Sequence, residues 1–259
     1  MRCFRPPGGR QPLRAEQRLF LNPLYIDVEA IPEFPGVMAA GLEADIAALS
    51  ATPMVNYTGV AHAKLVGLRF AYDGFRRSAA PERRADFEAY RQEQGEALLR
   101  FACFETLRQQ LAPRPWTQWD APWRDPSAGD LRNFREQNRA LCEFREFLQW
   151  TANASLGRAS TRRVRMACRS GSMSMSLWAS IRMAPMPGAS RTRCWRTCPS
   201  ARRRTNSIRP ARTGGLAPFN PHGLSANDFA PMRALLTAAM RYAGAIRLDH
   251  VLGPQNVSS

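Results

Sequence analysis

Fifty-nine consecutive residues, 157–215, carry fourteen Arg and not one Lys, Asp or Glu. Nothing else in the chain limits its folding as strongly. Like charges in such a run repel, and the stretch offers no Phe or Tyr and only Trp178 and Trp195 as large rings to bury. No helical or strand period is evident in it, so the expectation is an irregular or disordered segment. Most of the formal net charge of +16 sits here, and residues 1–18 add five Arg against one Glu. What remains, 19–156 and 216–259, is mildly acidic and patterned.

Two readings of the basic stretch stand side by side. One is an Arg-rich arm that binds nucleic acid through phosphate contacts. The other is text read out of frame in a GC-rich gene, which yields mostly Arg, Ala, Pro, Gly, Ser and Cys. A single Lys, Lys64, against 36 Arg fits such a gene. Codons can be chosen for 166–214 so that a neighbouring frame reads GMPIGLYVDVAVGIDPDG and continues acidic. Codons for 2–18 can likewise spell DSPYAPSSR just before Leu19.

The patterned text supports a coarse secondary-structure reading. Leu24, Ile26 and Val28 after Asn22-Pro23 suggest a short strand over 25–28, ended by Pro32 and Pro35. Apolar spacing predicts helices over 38–49 and 60–72, and more strongly over 81–111, where Pro81 suits a first turn. Ser127 and Asp130 suggest a capping box opening a helix over 127–150. A Pro-rich connection between these two carries Trp116, Trp119 and Trp123, which suit either sugar stacking or packing on neighbouring helices. After the basic stretch, 216–223 reads as a loop. Ser225 and Asp228 then cap a helix over 229–242 with Met232, Leu235, Leu236 and Met240 inward, closed by Gly244. A strand, Ala245 to His250, follows.

No run of about 18 apolar residues is present, so no membrane span is expected. The N-terminus lacks the apolar core of a secretory signal, and six Cys do not make a disulfide framework in this length, so a cytoplasmic setting is expected. His62, His222 and His250 are scattered, and Cys194 with Cys198 lacks a nearby partner pair. No metal and no cofactor are expected.

The chemistry concentrates in Arg247-Leu248-Asp249-His250. Arg247 and Asp249 lie two apart on a strand and so share a face. A carboxylate beside a guanidinium stays ionised near neutrality. Such a carboxylate can attack an anomeric carbon and stabilise oxocarbenium charge. A structural Arg–Asp pair fits the same pattern.

The patterned blocks together resemble the amylomaltases, the 4-alpha-glucanotransferases of glycoside hydrolase family 77. The matching text is RLFLNPLYIDVEAIPEF at 18–34, FEAYRQEQGEALLRFACFETLRQQ at 87–110, LCEFREFLQW at 141–150 and GLAPFNPHGLSANDFAPMRALLTAAMRYAGAIRLDHVLG at 215–253. The resemblance implies an α/β fold: a (β/α)8 barrel, here partial, with an inserted helical subdomain. It implies a retaining double displacement that moves α-1,4-glucan segments between maltodextrins, with no specific nucleic-acid partner and no membrane. Asp249 matches the nucleophile and Arg247 the arginine that orients it. His250 and Asn220 match substrate contacts. The organisation expected is an aberrant segment at 1–18, the first part of the barrel with its helical insertion at 19–156, and the basic segment at 157–215. A helix and the nucleophile strand follow at 216–253, then a tail at 254–259. The family's SPY motif should precede Leu19, where Ala15-Glu16-Gln17 stand instead, and Thr213-Gly214-Gly215 stand where a Trp-Gly pair is expected. The acid/base Glu and the third carboxylate would lie beyond residue 253. The chain is therefore expected to be truncated, twice disturbed in frame, and inactive by itself.

Overall fold

The computed structural model describes residues 19–114, 118–124, 126–165, 172–177, 179–181, 216–218 and 224–249. They fall into two compact units. The first is built on Leu21–Pro113 and Pro126–Arg158, the second on Arg114–Asp125 and the described part of Ala159–Ser259.

The first unit is helical. It opens with a 3-10 turn, Pro23–Tyr25, capped by the Asn22 side chain, which accepts from Leu24 N at 3.0 Å. The strand expected over 25–28 does not form: Tyr25 ends the 3-10 turn and no strand is present at 26–28. The carbonyls a neighbouring strand would take are bonded to a side chain instead. Lys64 Nζ donates to Leu24 O at 2.7 Å and to Ile26 O at 2.9 Å. Gln149, buried, meets the backbone of Leu21 with both ends of its amide, each at 2.9 Å.

Helix α1 spans Glu43–Ser50, shorter than the expected 38–49 at its start, because 37–41 are turns. Helix α2, Tyr57–Ser78, runs longer than the expected 60–72 and begins at Asn56, whose side chain accepts from Gly59 N. Its buried face carries Ala61, Leu68, Ala71, Tyr72 and Phe75, at the spacing of one helical stripe. Helix α3, Pro81–Gln110, matches the expected element but is broken at Gly95, whose φ of 51° and ψ of −133° lie outside helical space. A very short helix, α4, covers Ala121–Arg124 in the second unit.

The helix expected over 127–150 is two. Helix α5, Ala128–Gln137, begins with the predicted capping box: Ser127 Oγ accepts from Asp130 N, and Asp130 Oδ2 accepts from Ser127 N. Asn138, non-helical, separates it from α6, Arg139–Arg165. From Phe144 to Ala152 α6 is buried at every position, as befits a central helix. Tyr72 and Phe75 of α2, Phe87 of α3, and Phe144, Phe147 and Trp150 of α6 form one aromatic core. Its ring centroids lie 5.3–6.3 Å apart in tilted or edge-on pairs. The polar groups of so buried a helix need partners. Glu146 accepts from Arg91 Nε at 2.8 Å and from Arg135 Nε at 2.9 Å.

In the second unit, α6 continues to Arg165 and two strands lie within 157–215, β1 at Ser172–Leu177 and β2 at Ala179–Ile181. The expectation of an irregular stretch is corrected at these places. The alternation Ser172-Met173-Ser174-Met175-Ser176 is a period of two, which a strand accommodates. Strand β3, Leu216–Pro218, replaces part of the expected loop and pairs antiparallel with β2. Helix α7, Ala230–Met240, follows Phe229, which is left-handed at φ 54° and gives no side-chain cap. The expected cap at Ser225 and Asp228 is thus absent, and Asp228 pairs with Arg233 at 2.9 Å. Leu235 is buried and packs with Leu224 and Met232, as the spacing predicted, whereas Met240 is exposed. Strand β4, Ala243–Asp249, pairs parallel with β1. Among the described residues the strands make two two-stranded sheets.

Candidate active site

The residues singled out for chemistry converge on β4. Its backbone register sets Met175 opposite Arg247 and Leu177 opposite Asp249. Asp249 and Leu177 are the last residues of their strands, so the two parallel strands end together. Arg247 and Asp249 lie two apart along β4. A parallel pair requires a crossover, and α7 lies on it, packed against both β1 and β4. Ser160 Oγ donates to Tyr242 O at 3.4 Å, fixing the approach to β4. His250 and Asn220 lie outside the described residues.

The placement matters because parallel strands joined by helical crossovers gather chemistry at their carboxyl ends. Asp249 occupies that end. Among the described residues, no group of three or more His, Cys, Asp or Glu gathers to hold a metal ion. Cys103 and Cys142 are free thiols, both fully buried in the first unit. Trp119 is buried at 4% exposure and donates Nε1 to Arg114 O, so its ring is packed and cannot meet a sugar; Trp116 lies outside the described residues. No helix among the described residues is long and apolar enough to cross a membrane.

The parallel pair of β1 and β4, packed against α7, is an α/β arrangement. Comparison narrows the class. The family model for 4-alpha-glucanotransferase matches residues 5–171, and the chain belongs to that family. The 4-alpha-glucanotransferase of Haemophilus influenzae is 27% identical over 95% of this chain and 38% of its own length. That of Mycobacterium tuberculosis is 27% identical over 95% of this chain and 35% of its own length. The crystal structure of amylomaltase from Corynebacterium glutamicum superposes with a TM-score of 0.61 at 25% identity, covering 96% of this chain and 34% of that one. Amylomaltase from Streptococcus agalactiae, solved in complex with acarbose, has the same fold at a TM-score of 0.64 and 13% identity. The chain thus spans little more than a third of the curated relatives it matches. The nucleic-acid reading of 157–215 finds no support among them.

Proposed function

We propose that this chain carries the nucleophile half of a 4-alpha-glucanotransferase reaction centre, on part of a (β/α)8 barrel with an inserted helical subdomain. The carrying observation is Asp249 at the carboxyl end of β4, two residues after Arg247 and in register with the end of β1. In this reading Asp249 attacks the anomeric carbon of an α-1,4-glucan. The bond to the leaving 4-oxygen breaks, and a glycosyl ester forms on the carboxylate. The 4-hydroxyl of an acceptor glucan then displaces the ester with a second inversion, so the α-configuration is retained. Arg247 keeps the carboxylate ionised and oriented, while Asn220 and His250 contact the sugar. No metal or organic cofactor takes part. The setting is cytoplasmic.

The first step also needs an acid to protonate the leaving oxygen, a role that Asp249 as nucleophile does not fill. An α-maltosyl fluoride donor separates nucleophile from acid, because fluoride leaves without protonation. Incubated with this donor, the polypeptide should gain one maltosyl unit by intact mass, on Asp249, and Asp249→Asn should gain none. A folded polypeptide that stays unmodified, or an Asp249→Asn variant modified equally, would sink the proposal.

A further inference from the structure

Tyr25 is 59% exposed, the most open aromatic ring among the described residues. Its backbone, by contrast, is tied on every side. Tyr25 N donates to Asn22 O at 3.0 Å and Ile26 N to Pro23 O at 3.1 Å. Leu24 N donates to Asn22 Oδ1. The carbonyls on either side of Tyr25, those of Leu24 and Ile26, both accept from Lys64 Nζ. Upstream, Leu21 is paired twice with Gln149. A ring presented on so constrained a turn has given up its backbone freedom before any ligand arrives, which lowers the entropic cost of binding.

The neighbours sharpen the chemistry. Ile26 is fully buried, whereas Tyr25 and Asp27 on either side of it are exposed. An aromatic face beside a carboxylate suits a neutral polyol. The C–H face of a pyranose packs on the ring, and its hydroxyls donate to the carboxylate. With Trp119 packed away, Tyr25 is the most exposed ring among the described residues for a sugar to meet.

We propose that Tyr25 and Asp27 form a glucan contact, with Lys64 as the positioning residue that fixes the turn. The ligand class, an α-1,4-glucan, rests on the function proposed above. The test is affinity electrophoresis of the whole 259-residue chain in native gels containing soluble starch, beside the maltosyl fluoride reaction. Tyr25→Ala should weaken the apparent Kd roughly five- to tenfold, and Tyr25→Phe should stay within about twofold, as expected when the ring carries the contact. Asp27→Asn should weaken it less than Tyr25→Ala. Lys64→Met should weaken it and Lys64→Arg restore it, with thermal melting confirming that each variant is folded. Equal retardation of wild type and Tyr25→Ala would overturn the Tyr25 site and leave the proposed function standing. So would maltosylation of Asp249 in a chain that starch does not retard. Neither adduct nor retardation would overturn both.

Discussion

Gly74 sits where α2 receives the backbone of Glu33. A Cβ at this position would collide with the carbonyl oxygen of Glu33, a backbone atom that cannot swing aside. In an exposed helix interior, Gly→Ala stabilises by up to about 1 kcal/mol. Here the sign should reverse, with Gly74→Ala losing about 1–3 kcal/mol as overpacking forces the two segments apart. The midpoint of urea unfolding reads this directly, and a midpoint equal to or above wild type would show that the segment can move. Such a residue is invisible in sequence: the glycine breaks no pattern, and its reason is a carbonyl 41 positions upstream. Tyr25 was half legible. Asn22-Pro23 announced an irregular start, but alternating Leu24, Ile26 and Val28 suggested a strand. What decided otherwise was Lys64, forty residues away, taking the carbonyls a strand partner would have used.

At the scale of elements, legibility followed how local the cause was. The capping box at Ser127 and Asp130 needs only four residues, and it forms as the text implies. The apolar stripe of α3 was equally plain, yet the break at Gly95 and the interruption at Asn138 were not. Asn138 holds its place through partners on both sides, donating from Nδ2 to Phe134 O and accepting at Oδ1 from Gln110 Nε2 across to α3. The cap gives a prediction with a sign in pH. Hydrogen bonds from the Ser127 side chain and backbone hold the Asp130 carboxyl below its ordinary value of 3.8. A depressed folded pKa means the stabilisation is complete above the unfolded value and is lost as pH falls through the folded one. Ser127→Ala should therefore lower Tm at neutral pH by an amount matching loss of an N-cap, about 1 kcal/mol. The gap to wild type should narrow below the ordinary aspartate pKa. A gap that widens in acid would mean that the cap works through something other than Asp130.

At the scale of the whole molecule, one strand pair joins the two kinds of text. β4 belongs to the patterned block that ends in Arg247 and Asp249, whereas β1 lies in the Arg-rich stretch. The family model matches through residue 171, one residue before β1, while pairwise similarity to the Haemophilus influenzae relative extends over 95% of the chain. A parallel strand with both faces covered calls for continuous apolar or alternating β-branched text. SMSMSL supplies alternation but little hydrophobic area. GLYVDVAV, which a neighbouring frame can spell at the same place, supplies both, and the acidic text after it would remove the excess of fourteen positive charges. We therefore expect the DNA to show a one- or two-base displacement near codon 166 and a compensating one near codon 214, with a third just before Leu19. Sequencing the gene from upstream of codon 1 to well past codon 259 reads this out. Restoring the frame should place Ser-Pro-Tyr before Leu19, Trp-Gly before Leu216 and an acidic segment between Trp150 and Leu216. Protein made from that frame should bind starch and lack the non-specific, salt-dependent attraction to DNA expected of fourteen clustered Arg. If no neighbouring frame spells such text, Ser172–Leu177 is the native partner of β4, which then rests on a neighbour with little apolar surface to hold it.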